Sequence, residues 1–333
     1  MKHGLQSEDS ILRRIIGMAK VPAHRLTEGS IALGIGDDAA LFRPKPGREA
    51  ILTCDWFLEG THFLRDKHPP QAVGWKCLAR AVSDVAAMGG APRCFLLSLA
   101  LPKSHIGEWL DRFLKGLRQA SRAFECALAG GDTTKREEIL INVTVVGDAR
   151  AGRAVLRSGA RPGDAIYVSG RLGEAECGLR TLKRRRGPLN DTDPLTKKHL
   201  YPEPRLALGQ WLAVKRMATA MMDLSDGLSS DLSRLCRASS VGARVHLDRI
   251  PMPNLSVTDL KRGIDPVRLA LHGGDDYELL FTVPRRSMSR IPKSFQGVRL
   301  TPIGEITRNH EVQLVREDGS GQLLVPGGWD PFR

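Results

Sequence analysis

The sequence predicts a mixed α/β (α+β) protein in two domains, and three observations carry that prediction. Its 333 residues and 36.5 kDa exceed what one ordinary core encloses. Apolar runs of strand length alternate with stretches of helical period along the whole chain. A seam rich in Arg, Gly and Ala at Gly147–Gly163 interrupts that alternation, so the boundary falls there: an N-terminal domain of 1–149 and a C-terminal domain of 150–333.

Taken in order, Ser7–Ala19 opens with capping residues and acids, then sets Ile11, Ile15 and Met18 at helical spacing. Ile31–Ile35 reads as a short buried strand. Gly34 and Gly36 let the chain leave it towards the adjacent acids Asp37 and Asp38. After a turn at 43–48, Ala50–Cys54 predicts a strand delivering Asp55 at its end, and Gly60–Phe63, with His62, a loop. Pro69 and Pro70 start a helix to about Met88, stopped by Gly89 and Gly90. Asp84 lies near its end, on one face with Arg80 and Lys76, where an acid opposes the helix dipole. Arg93–Leu101 predicts a strand, Ile106–Phe124 a helix, Cys126–Ala129 a strand feeding Gly130–Thr134, and Ile139–Val146 a strand.

Beyond the seam, Ala165–Ser169 predicts a strand and Leu179–Arg186 a helix ending in a basic run. The Pro202–Pro204 segment caps a helix over Arg205–Arg216. Ala218–Met222 predicts a strand delivering Asp223. Ser225 and Asp226 then stand where a helix over Gly227–Ala238 begins, positions that capping alone also explains. Strand Ala243–Leu247, helix Pro266–Leu271 and strand Glu278–Val283 follow. No tandem repeat is visible.

Composition narrows the function classes. With 41% hydrophobic and 26% charged residues the chain is globular, not disordered. No apolar stretch nears the roughly 20 residues of a membrane span, and Arg13 and Arg14 break the first apolar run, against a secretory signal. The six cysteines form no CxxC pair and read as reduced thiols of a cytoplasmic protein. A net charge of +13 permits anionic ligands. The densest basic run, Lys183–Arg186, lies in a polar, Gly/Pro-flanked segment, and with only three Tyr no nucleic-acid surface is indicated.

The acids carry the chemistry. Asp37, Asp38, Asp55, Asp84, Asp132, Asp223, Asp226, Asp275 and Asp276 sit beside glycines or at the ends of apolar runs. Such carboxylates are hard oxygen ligands suited to Mg²⁺ held partly by water and substrate phosphates. The chain lacks GxxxxGK[ST], GxGxxG after a strand, the protein-kinase motifs, GxSxG and HExxH. Phosphates would therefore be held by metals, glycine N–H groups and a few Arg or Lys.

In sequence order, GIGDDAAL, DWFLEGTHF, SDVAAMG, GGDTT, RSGARPGD, DLSDGLSSDL, GGDDYELLFTV and GGWDPF, spanning about residues 8 to 332, resemble the thiamine-monophosphate kinases, of the aminoimidazole ribonucleotide synthetase-like superfamily. The resemblance implies an N-terminal domain that pairs with a second subunit into a β-barrel, a C-terminal α/β domain, and ATP in a groove between the two. It implies several Mg²⁺ ions on Asp38, Asp55, Asp84, Asp132, Asp223 and Asp226, with Asp37 close by and Thr53 and Cys54 near the metals. ATP would meet Gly131, Asp132, Arg157 and Ser225; thiamine monophosphate would meet His62, Asp275 and Trp329. The implied activity is direct γ-phosphoryl transfer giving thiamine diphosphate, by a cytoplasmic homodimer without nucleic-acid or membrane partners. Three positions depart from the family pattern: Cys54 stands for threonine, Asp275 for glutamate and Pro331 for histidine. Selenophosphate synthetase is disfavoured because no Cys precedes Cys54, and the hydrogenase-maturation relative because the chain ends Pro331-Phe332-Arg333.

Overall fold

Alternation of side chains along an eleven-residue strand sets the first half of the molecule. The computed structural model describes residues 8–19, 31–35, 38–184 and 193–332; Asp37 and the Arg185–Arg186 end of the basic run lie outside them. The chain divides into two units, Met1–Val85 with Gly90–Gly152, and Ala86–Gly89 with Arg153–Arg333.

In the first unit, α1 (Glu8–Ala19) precedes a two-stranded antiparallel ribbon of β1 (Ile31–Leu33) and β2 (Leu41–Phe42). Next come β3 (Arg48–Leu58), α2 (Pro70–Ala87), β4 (Ala91–Leu101), α3 (Glu108–Ala123), β5 (Ala127–Lys135) and β6 (Leu140–Arg150). The four long strands form an open sheet ordered β3-β6-β4-β5, with β4 and β5 parallel and the other pairs antiparallel. Along β3, Ile51, Thr53, Asp55 and Phe57 share one face and Leu52, Cys54 and Trp56 the other. Helix α2 covers the first face: the Arg80 guanidinium stands 5.4 Å over the Phe57 ring. Phe95, Leu97, Leu99, Ile141, Val143 and Val145 complete that buried layer. Buried Asp148 is gripped by two arginines, accepting from Arg48 Nε at 2.6 Å and from Arg93 Nε and Nη2 at 3.0 Å each.

Two expectations change here. Asp55 lies inside its strand and not at its end, because the ladder to β6 continues unbroken to Leu58. Gly130–Thr134 is likewise strand and not loop: β5 runs through it after a register shift beside Phe95 and Leu96.

The second unit contains β7 (Ala165–Ser169), α4 (Glu174–Arg184), α5 (Pro194–Leu200), α6 (Leu206–Val214), β8 (Ala220–Leu224), α7 (Leu228–Ser239) and β9 (Gly242–His246). Then follow α8 (Val257–Lys261), α9 (Pro266–His272), β10 (Glu278–Val283), β11 (Ser294–Phe295), β12 (Val298–Thr307), β13 (Val312–Val315) and β14 (Gly321–Leu323). The sheet runs β14-β13-β9-β12-β7-β10-β8, with β11 pairing β12. Its two faces are both filled. Ile166, Val168, Met222 and Leu280 pack with Leu228, Leu232 and Leu235 of α7, while Tyr167, Met221 and Phe281 pack with Leu208 and Leu212 of α6.

Asp223 also lies within its strand, buried, because β8 is shifted two residues beyond the predicted Ala218–Met222. Helix α5 was not foreseen, although Asp193 is a good signal for it: its carboxylate accepts from the N–H groups of Leu195 at 3.4 Å and Thr196 at 3.1 Å, ahead of Pro194 at the first helical turn. Strands β12 to β14 were not foreseen either. Pro302 and the register shift up to Gly304 break the alternation that would reveal the longest of them.

Candidate active site

In the first unit two of the predicted acids, Asp55 and Asp84, come together at the covered face of β3. Thr53 Oγ1 donates to Asp84 Oδ2 at 2.5 Å, joining the strand to the last turns of α2. Asp55 lies on the same face between Thr53 and Phe57, hence between the levels of Asp84 and Arg80. The ladders set Asp55, Val143, Leu97 and Gly131 in one row across the sheet. Gly131 has φ +153°, and a Cβ there would stand 1.9 Å from the Leu97 carbonyl oxygen, so only glycine fits.

The next row is Trp56, Asn142, Ser98 and Asp132, on the opposite face. Alternation therefore turns the Asp132 side chain away from that of Asp55; Asp132 accepts from the Thr133 N–H at 2.8 Å and is exposed. The Cys54 side chain also faces this way, bonded to Asn142 Oδ1 at 3.3 Å and approached by Thr144 Oγ1 at 3.5 Å. Asp38 is exposed beyond the β1–β2 ribbon's first strand. His62 sits in a tight turn, its N–H donating to the Leu58 carbonyl and its Nδ1 accepting from the Leu58 N–H at 3.0 Å. In the neutral ring the proton is then on Nε2, a donor suited to an anionic oxygen.

In the second unit Ser225, Asp226, Asp275 and Trp329 meet just past the C-terminal end of β8, while Asp223 lies buried within that strand on the Met221 face. The Ser225 carbonyl accepts from Asp275 N–H at 2.7 Å, and the Asp226 carbonyl accepts from Trp329 N–H at 2.9 Å. Gly327 and Gly328 donate to Ser229 Oγ and Ser230 Oγ at 3.2 and 3.1 Å, so the GGW segment is strapped onto the first turn of α7. A Cβ on Gly328 would stand 1.9 Å from the Asp226 carbonyl oxygen. Arg157 is separated from this group: its carbonyl accepts from Ser239 Oγ at 2.9 Å, at the other end of α7.

Asp226 does not cap α7. That position belongs to Gly227, and the N–H groups of Asp226 and Gly227 are taken by buried Asp231 at 3.0 and 3.1 Å. Arg234 pairs with both Asp226 and Asp231. Burial and the neighbouring Asp226 charge push the Asp231 carboxyl up to about 6. Asp275 is held by Tyr277, whose hydroxyl donates to Oδ1 at 2.8 Å, and has the buried His199 Nδ1 3.7 Å from Oδ2. Asp275 and Tyr277 both take left-handed backbone angles, φ +69° and +50°. Between them Asp276 turns inward and accepts from Gly173 and Ala175 N–H at 2.5 and 3.1 Å, tying β10 to the start of α4. Asp231, Arg234, His199 and Tyr277 were missed as supporting residues. DLSDGLSSDLSR and GGDDY contain the acids in plain view, but their partners come from other elements.

Among the described residues no three His, Cys, Asp or Glu side chains gather into a metal cluster within the structure. The donor set nonetheless fits Mg²⁺. That ion takes one or two carboxylates and fills its shell with water and phosphate oxygens, and the Thr53–Asp84 pair beside Asp55 offers only hard oxygens.

Family profiles for AIR synthase related protein, N-terminal domain, and AIR synthase related protein, C-terminal domain, match residues 36–149 and 161–317. The fold is that of the two-domain AIR synthase-related proteins. Thiamine-monophosphate kinase of Escherichia coli (strain K12) is 38% identical over 309 residues, covering 91% of this chain and 92% of that one. The crystal structure of thiamine-monophosphate kinase from Stenotrophomonas maltophilia K279a superposes with a TM-score of 0.79 at 34% identity, covering 94% and 97% of the two chains. AaThiL complexed with AMPPCP and TMP superposes with a TM-score of 0.76 at 33% identity, covering 99% and 98%. The chain belongs to the thiamine-monophosphate kinase family.

Proposed function

We propose that this protein phosphorylates thiamine monophosphate with ATP, giving thiamine diphosphate and ADP by direct in-line transfer of the γ-phosphoryl group. The observation that carries the reading is the gathering of Asp226, Asp275 and Trp329 just past the end of β8, a patch with acids for cations and an aromatic face. Trp329 leaves its indole partly exposed, suited to stacking on a cationic heteroaromatic ring such as thiazolium. Asp275, fixed by Tyr277, offers a carboxylate to the same cationic ligand. His62, with Nε2 as donor, orients the acceptor phosphate. That phosphate is a monoester with a second pKa of about 6, so its attacking oxygen is largely ionised at neutral pH and no side chain need remove a proton. Gly131 lets a phosphate approach the backbone closely, and Ser225 and Arg157 are the further ATP-binding candidates.

Asp38, Asp55, Asp84, Asp132, Asp223 and Asp226 are the Mg²⁺ ligands in this reading, with Thr53 and Cys54 beside them. Bound Mg²⁺ would neutralise the phosphate charge that otherwise keeps two polyanions apart. Thr53 donates to Asp84 and Arg234 pairs with Asp226, which orients both carboxylates.

We further propose a cytoplasmic homodimer in which two four-stranded sheets close one barrel. Leu52 and Trp56, 71% and 56% exposed, and Leu96 line the sheet face that no described element of the first unit covers. The deciding assay follows thiamine diphosphate by chromatography with ATP, Mg²⁺ and thiamine monophosphate. Product that vanishes in Asp55→Asn and with chelator is expected. Product formation unaffected by both, or a trapped phospho-enzyme, overturns the mechanism.

A further inference from the structure

A cavity of about 1060 Å³ opens in the C-terminal unit, and it shares no residue with the acids described above. It lies between the β7–α4 turn at Gly170–Arg171, the segment after β9 at 248–252 and the start of β12. Its volume is at the upper end of the range for small-molecule sites, about 300–1,000 Å³.

The lining separates into a satisfied part and an unsatisfied one. Buried Glu278 is fully occupied: Ser169 Oγ donates to it at 2.5 Å, Arg205 Nε donates at 2.7 Å, and Arg205 Nη2 donates to its other oxygen. Arg205 also lies 3.8 Å from Glu203. Arg205 answers only one of these two carboxylates in charge, so the set keeps one negative charge. Thr301 is different. It is 7% exposed, lines the cavity, and its Oγ1 is buried without a hydrogen-bond partner. A ligand oxygen that reached this hydroxyl would supply its missing partner.

Above Thr301 stand Arg171, Lys198, Arg249 and Arg299. Arg171 donates to the Met252 carbonyl at 3.0 Å, and among the described residues none of the four joins an ion pair. The lining as a whole carries five cations, Arg205 among them, against four carboxylates, a net charge of +1. Three guanidinium groups around a polar floor suit the tetrahedral, multiply charged oxygens of a phosphate. A hydrogen-bond donor and acceptor at the bottom suits a hydroxyl or phosphoryl oxygen.

We infer that this cavity is a second ligand site, taking a small organic phosphate of nucleotide size or less, with Thr301 reading one buried oxygen and Arg249 and Arg299 holding the charge. The site does not depend on the catalytic Mg²⁺, since no proposed metal ligand lines it.

The test is titration of the full-length protein with inorganic pyrophosphate in chelator-containing buffer, read by calorimetry and by ³¹P line broadening. Binding should weaken at least tenfold in Arg249→Ala/Arg299→Ala and severalfold in Thr301→Val, and stay unchanged in Asp223→Asn. Arg249 and Arg299 are exposed, so their loss leaves the core intact, and the conservative Thr301→Val separates recognition from charge. Thiamine-phosphate kinase turnover of the arginine variant should match the parent protein without added pyrophosphate. The inference is overturned by no binding at millimolar pyrophosphate, by binding that survives the double substitution, by binding lost in Asp223→Asn, or by equal competition from sulfate at matched ionic strength. The last result would mean a diffuse positive surface. Failure of the kinase assay leaves this titration standing, and the reverse holds too.

Discussion

The two sheets of this protein are finished to different degrees. The C-terminal sheet carries helices on both faces, and β7, β8 and β10 are buried along their whole lengths. Among the described residues the N-terminal sheet is covered on one face, and the other presents Leu52, Cys54, Trp56 and Leu96 to solvent. A sheet with two filled faces has paid for its own order through burial. One with an apolar face left bare is suited to a further surface, and the proposed barrel partner is a second copy of itself.

Four measurements would break or sharpen that contrast, taken from the largest expected effect. Phe281→Ala in the doubly covered sheet should cost about 3–5 kcal/mol in urea unfolding, since a cavity there is walled on every side. A loss under about 1 kcal/mol would mean that the layer collapses freely. Asp148→Asn should cost about 3 kcal/mol by leaving two guanidiniums short of a buried carboxylate, and an unchanged urea midpoint would refute that.

The third measurement is pH-dependent. Burial, opposed by the Gly173 and Ala175 N–H groups, pushes the Asp276 carboxyl from 3.8 up to about 8. The folded chain therefore holds this proton between about pH 4 and 8 where the unfolded chain releases it, so its contribution is full below 4 and lost as pH rises to 8. Stability should fall across that window by up to about 1.4 kcal/mol per pH unit, and Asp276→Asn should flatten the slope. An identical slope in the variant would assign the effect elsewhere. The smallest effect belongs to the bare face. Leu52→Ser should move protomer stability by less than about 0.5 kcal/mol while shifting sedimentation towards the monomer. A large stability loss without any change of mass would mean that the face is already packed within one chain.

What the sequence revealed follows from how local each signal is. Ala165–Ser169 and Glu278–Val283 were legible residue for residue because both are continuous apolar runs ended by turns. Asp55 and Asp223 were read as strand ends because an acid normally closes such a run. The hydrogen-bond ladder overrode that preference, and its partners, Val143 and Leu279, are far away in sequence. The acids of the site were visible as residues. Their holders were not: the Tyr277 hydroxyl on Asp275, Asp231 on the Asp226 N–H, and GGW on α7 exist only after folding. The family motifs set positions, not facing. Alternation along β3 and β5 puts Asp55 and Asp132 on opposite faces, which no single-sequence pattern announces.

The thiols have a practical side. Cys77, Cys94, Cys126, Cys177 and Cys236 are buried, and burial raises each of them, Cys77 and Cys236 to about 12. Cys54 alone is exposed, between Leu52 and Trp56 on the edge strand of the bare sheet face. A maleimide dye added to the native protein will therefore label one position in six, with no engineering. Its rate of attachment reads directly whether that face is open or shut in a given preparation, dilution or cell extract.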